Sequence, residues 1–225
     1  MPRTIWKENH VISIETRRGL YTLAQMSCDP FLIFFQIFRT HDTWDDGVDL
    51  NKIPVLFCKA VTRQFLKHSV TAKQPKVLPL NPAPLPTRWI HSAGFGARQL
   101  TAWAGTSDER RYAAIGEGGI LVEKDVYNHK GGPYRHPSGV YDSIIKTLTS
   151  SRDTATIEQY ECDTLAVFPA TNERLYQCHL AGKNVDPDKR ILFDQPLPKD
   201  YAIYIDISGG QDETRRHEAR KLFRI

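Results

Sequence analysis

Long apolar runs are absent from this sequence. The longest, residues 31–38, is broken by Gln36 and falls far short of the ~20 residues that a membrane-spanning helix requires. Residues 1–8 carry no apolar core of a secretory signal, so a cytoplasmic location is expected. Cysteine is scarce. Cys28, Cys58, Cys162 and Cys178 are spaced too widely for a disulfide framework and suit a reducing compartment. Neither sign of charge dominates: 30 basic residues against 26 acidic ones leave a net charge of +4. So small an excess admits acidic partners without demanding them, and neither a membrane surface nor nucleic acid is the expected partner.

Signatures of catalysis are also missing. There is no GxxxxGK[ST] phosphate loop and no GxSxG elbow. Gly94-Phe95-Gly96 begins like a dinucleotide fingerprint, but Gln99 stands where the third glycine belongs. Cys58 and His68 could form a thiol pair, yet Cys58 sits in an apolar strand pattern without an orienting third residue, which reads as a buried structural thiol. Cys162, Cys178 and His179 lack metal-ligand spacing, and on a strand the adjacent Cys178 and His179 would face opposite ways. Residues 42–49 match a calcium loop only at Asp42, Asp46 and Gly47; Trp44 holds the third position and Ile53 the twelfth. No catalytic residue, metal or cofactor is therefore expected, and the chain reads as a binding protein and not as an enzyme.

What is present favours short elements. Fourteen glycines and fourteen prolines are scattered through 225 residues. Residues 10–15 and 20–26 read as a β-hairpin around Gly19, and residues 31–38 and 53–61 as a third and a fourth strand. This predicts an antiparallel meander whose core holds Ile12, Ile14, Leu23, Phe34, Ile37, Leu56 and Phe57. Residues 71–86, with Pro75, Pro79, Pro82, Pro84 and Pro86, should run extended as a strap over their own domain. A turn is expected at residues 131–133. After a Ser138 N-cap, Val140, Ile144, Ile145 and Leu148 predict a helix. Further strands are expected at residues 156–160, 164–168, 175–180 and 201–207.

The fold class that emerges is α+β and mainly antiparallel β: a β-meander or small barrel-like sheet, a few short helices and a β-rich C-terminal extension. Two regions are expected, 1–150 and 151–225. In the tail, Arg216, Arg220 and Arg224 would form a basic stripe on a helix, diluted by Asp212, Glu213 and Glu218 and docked by Leu222 and Phe223. That stripe motivates an alternative reading, a small-barrel nucleic-acid-binding module.

The order of features in the first 150 residues resembles the immunity protein 26 family of bacterial polymorphic toxin systems. The likeness rests on Val11-Ile12-Ser13-Ile14, Gly19-Leu20-Tyr21-Thr22-Leu23-Ala24-Gln25-Met26 and Phe31-Leu32-Ile33-Phe34-Phe35-Gln36-Ile37-Phe38. It continues through Ile53-Pro54-Val55-Leu56-Phe57, the strap Val77-Leu78-Pro79-Leu80 and Leu121-Val122-Glu123-Lys124-Asp125-Val126-Tyr127. The resemblance implies a non-enzymatic antitoxin of interbacterial competition that binds a cognate toxin domain and occludes its active site or target surface. No functional residue carries over by motif. Composition alone suggests where such a partner would be gripped: Trp44 with Asp42, Asp45, Asp46 and Asp49, and beyond that loop Arg17, Arg18 or Trp103. A solvated turn with Trp44 tucked inward is the plainer expectation for the loop.

Overall fold

Short apolar runs bounded by turns build the first sheet. In the computed structural model, which describes residues 5–17, 19–83, 85–124 and 141–223, the chain divides into two compact units. Unit 1 holds the described residues up to Thr87 together with Asp163–Val185; unit 2 holds Arg88–Lys124, Tyr141–Cys162 and the described residues from Asp186 on. The expected boundary at residue 150 falls inside the Tyr141–Cys162 stretch of unit 2.

Unit 1 is the predicted meander. Strands β1 (Val11–Glu15), β2 (Tyr21–Met26), β3 (Phe31–Arg39) and β4 (Val55–Ala60) pair in succession and antiparallel. Helix α1 (Arg63–Ser69) follows, and β5 (Val70–Lys73) returns to the free edge of β1. The five-stranded sheet stays open, in the order β4-β3-β2-β1-β5, so of the two expected forms, meander or small barrel-like sheet, it takes the meander. Its period-two alternation sorts the side chains onto two faces. Ile12, Ile14, Ala24, Phe34, Leu56 and Phe57 pack with Phe65 of α1 and with Leu175 and Cys178 of helix α3 (Ala170–Ala181). Leu23 is fully buried but absent from that cluster, because its odd position in β2 sends it to the opposite face; Ile37 is half-buried there.

The opposite face is covered by the proline strap. Val77 is buried, Gln25 Nε2 donates to Leu80 O (3.1 Å), and Leu80 N donates back to Gln25 Oε1 (2.7 Å). Asp49 and Leu78 form a parallel bridge. The strap therefore crosses its own sheet; Pro84 lies outside the described residues.

Unit 2 differs more from expectation. Strands β6 (Arg88–Ser92), β9 (Gly119–Glu123) and β10 (Ser143–Leu148) form an antiparallel sheet in the order β10-β9-β6. Strands β7 (Ala97–Ala102) and β8 (Arg110–Ile115) form a separate hairpin. The helix expected near Leu148 is corrected to strand β10. Its register slips between Ile144 and Lys146, so the helix-like spacing of apolar residues reflects a β-bulge. The turn at residues 131–133, Ser138 and Val140 lie outside the described residues.

The β-rich C-terminal extension is likewise corrected, because every named element after residue 150 is helical. These are α2 (Thr154–Gln159), α3, α4 (Pro187–Leu192), a 3-10 turn (Lys199–Tyr201), α5 (Ala202–Ser208) and α6 (Glu213–Lys221). The strands expected at 156–160, 175–180 and 201–207 are thus α2, α3 and α5. Residues 164–168 contribute only a single bridge, Ala166 to Val61. Tertiary partners select helix at these sites. Lys189 of α4 is buried and donates from Nζ to the carbonyls of Ile157 (2.9 Å), Glu158 (3.2 Å) and Tyr160 (2.8 Å), closing the C-terminal end of α2 with an ammonium group. Gly209 ends α5 where a Cβ would lie 2.2 Å from Ala113 O, so only glycine fits.

Candidate functional site

The acidic loop turns inward. Trp44 is 8% exposed, and its Nε1 donates to Ser13 Oγ (3.1 Å) and Asp42 Oδ1 (3.2 Å). It is a lid on the second face of the first sheet and not an outward anchor. Its acidic neighbours are occupied too. Asp45 pairs with Arg39 (3.0 Å), whose guanidinium lies 5.1 Å from the Trp44 ring centroid, and Asp46 pairs with Lys76 (3.0 Å). Asp49 Oδ1 caps the 3-10 turn Leu50–Lys52, accepting from Asn51 N (3.0 Å) and Asn51 Nδ2 (2.8 Å), and these bonds hold its carboxyl below the usual carboxylate range.

Arg17 is bound within unit 1. Its Nε and Nη2 form a bidentate pair with Glu173 of α3 (2.7 and 2.6 Å), and the guanidinium stacks 3.8 Å above the Tyr176 ring. Glu173 is 0% exposed and also accepts from Gln177 Nε2 (2.7 Å). This is a fork-to-carboxylate clamp that ties α3 to the β1–β2 turn. Arg18 lies outside the described residues. The candidate thiols are inert in position: Cys58 is buried, and Cys178, now on a helix, is buried while accepting from Val185 N (3.4 Å). Among the described residues no group of three or more His, Cys, Asp or Glu is placed to hold a metal ion. On α6 the stripe residue Arg216 pairs with Glu213, and the flanking Arg215 and Lys221 pair with Asp212 and Glu218; buried Phe223 docks the tail, and Arg224 lies outside the described residues.

Trp103 is the sequence candidate that opens onto a concave surface. It follows β7 with a positive φ of 52°, which turns its ring back so that Nε1 donates to Leu197 O (2.9 Å). Together they border a groove of about 390 Å3 within unit 2. Leu100, Thr101 and Ala102 of β7 line one side; Arg190, Ile191, Asp194 and Leu197 line the other, and Tyr112 of β8 contributes the floor. Leu100, Trp103, Ile191 and Leu197 are half-buried on a small core of Ala102, Tyr112, Ala114 and Ile205. Apolar surface is thus presented in a recess of the size that takes one or two side chains.

Its charges are arranged unequally. Arg98 spans to Asp194 (2.9 Å) and donates to Ile191 O (3.1 Å), which fixes the far wall and neutralises Asp194. Arg190 donates from Nη1 to Pro196 O (3.1 Å) and meets no carboxylate among the described residues, so one positive charge is left over at the rim. Burial pushes the Tyr112 phenol up, with Asp194 adding to the effect. The groove was signalled in the sequence by Trp103 alone. Arg190 and Leu197 join it only through folding, and no local pattern marks them.

A family model matches residues 1–196. The chain belongs to the DUF8309 family, a domain of unknown function. No curated protein and no solved structure matches it. The DUF8309 match runs through β7, β8 and α4 to Pro196, so every groove residue except Leu197 lies within it. Among the described residues of this DUF8309 chain, no helix is long and apolar enough to cross a membrane.

Proposed function

We propose that this protein is a cytoplasmic immunity protein, an antitoxin that neutralises a bacterial toxin domain by binding it. The observation that carries a protein-binding role is the groove beside β7. It combines half-buried aromatic and aliphatic side chains, a fixed wall and one guanidinium that meets no carboxylate among the described residues, the mixture in which interface energy concentrates. The toxin as partner rests on the resemblance of the first 150 residues to the immunity protein 26 family. In that reading the groove grips a projecting segment of the toxin while the bulk of the chain occludes its active site or target surface.

The test is co-expression with the product of the adjoining toxin-like gene in a bacterial host. Growth should be restored, and the purified pair should form a complex with a Kd at or below about 1 μM. Growth arrest that persists despite soluble expression of both chains, with no complex detected at that concentration, would overturn the reading. Retardation of nucleic acid that falls steeply with salt would instead favour the nucleic-acid-binding module.

A further inference from the structure

The two edges of the β7–β8 hairpin are unlike. Gly116 N donates to Gly96 O (3.0 Å), which sets the phase of the ladder. Antiparallel alternation then bonds Arg98 to Ala114, Leu100 to Tyr112 and Ala102 to Arg110, and turns the amides and carbonyls of the intervening residues outward. On β8 those outward groups are used: Ala113 N donates to Gly209 O (2.9 Å), and Gln211 N donates to Arg111 O (3.0 Å). On β7 the outward residues are Ala97, Gln99 and Thr101, and among the described residues no backbone group meets them. Each offers one amide donor and one carbonyl acceptor along a stretch of about 13 Å.

We infer that this free edge of β7 receives an extended polypeptide segment of the partner by strand addition, with an apolar side chain seated in the groove and an acidic side chain two residues away meeting Arg190. The inference rests on the protein-binding reading and gives it a mode. An alternating row of donors and acceptors is complementary to extended backbone and to little else. Side chains of an added strand would alternate between the two faces of the hairpin, so residues two apart would share the inner face. On that face lie Leu100, Ala102, Trp103, Ile191 and Leu197, which suit an apolar anchor, and Arg190, whose charge suits a carboxylate. Leu100, Thr101 and Ala102 are consecutive, so the groove reaches the strand's edge.

The experiment is selection of displayed random peptides of about ten residues on the full chain, followed by anisotropy with the synthetic winners. Enrichment of an apolar–x–acidic pattern is expected. Gln99→Pro removes an outward amide at an edge position where proline is tolerated, together with an exposed side-chain bond from Gln211 Nε2, and should weaken binding about ten-fold or more with only a small loss of melting temperature. Arg190→Glu should reject the acidic flank and select basic ones. Hydrogen exchange gives a second readout that needs no variant: the amides of Ala97, Gln99 and Thr101 should exchange quickly in the free protein and become protected by peptide.

No enrichment, equal binding by folded Gln99→Pro, or protection confined elsewhere would overturn the inference. A dimer of the free chain that Gln99→Pro dissociates would assign the edge to a second copy and overturn it equally. The two readings fail separately. If the toxin binds Gln99→Pro as tightly as wild type, strand addition falls and the immunity reading stands. If selected peptides bind the edge but the toxin does not bind wild type, the immunity reading falls and the edge stands.

Discussion

At the scale of single residues, a side chain's role is set by partners that sequence proximity does not reveal. Trp44 among four acids was open to two readings, and Ser13, a hydroxyl on a distant strand, decides between them by accepting the indole N–H. Trp44→Ala should therefore cost stability, about 3 kcal/mol or more by chemical denaturation, as a buried aromatic does. Asp45→Asn with Asp46→Asn should leave the midpoint nearly unchanged, because exposed ion pairs contribute little. Arg17 gives the converse case. Arg17→Met keeps an apolar stem over Tyr176 but strands the buried Glu173 carboxylate with Gln177 alone, and should cost about 3 kcal/mol. The further change Glu173→Gln should recover part of that loss, which a double-mutant cycle measures. Neither Glu173 nor Arg190 carried a signal of its role in the sequence, since each depends on a residue brought from far along the chain.

Elements are legible where an apolar run is short and bounded by turn residues. β1 to β4 are short apolar runs bounded by turns, buried almost end to end because the sheet is covered on both faces, and their bounds were close to those expected. α3 and α5 misled because their apolar residues are β-branched, aromatic or short-spaced, and short apolar runs suit either state. Signals of helix were nonetheless there: Leu175 and Cys178 three apart, Glu173 and Gln177 four apart, and Gly182 in the left-handed conformation as the C-cap. The link from β10 to α2 supplies a pH-dependent element. Asp153 accepts from Lys146 Nζ (2.5 Å) and Thr149 N (2.8 Å), and the lysine bond foremost holds its carboxyl below the usual range. A carboxyl lowered on folding contributes stability that is present above its unfolded pKa and is lost as pH falls through the folded one. Asp153→Asn should therefore melt below wild type at neutral pH, and the gap should narrow as the medium is acidified below the carboxylate range.

For the whole molecule, the boundary expected at residue 150 would cut through the construction of both units, since each is assembled from separated stretches. A fragment of residues 1–150 keeps all five strands of the first sheet but loses α3. With it go Leu175, Cys178 and the Glu173 clamp on Arg17. We expect that fragment to show no cooperative melt, with strong binding of a hydrophobic dye, and a wild-type-like transition from the fragment would refute the discontinuous core. The same arrangement governs the order of events on the ribosome. Leu175 follows Phe65 by roughly 110 residues, so at 5–20 residues per second the sheet waits roughly 5–20 s for the helix that completes its first face. Throughout that interval Ile12, Phe34 and Phe57 line a wet, unsealed surface, and nascent chains arrested before residue 170 should be cut readily by protease and held by chaperones.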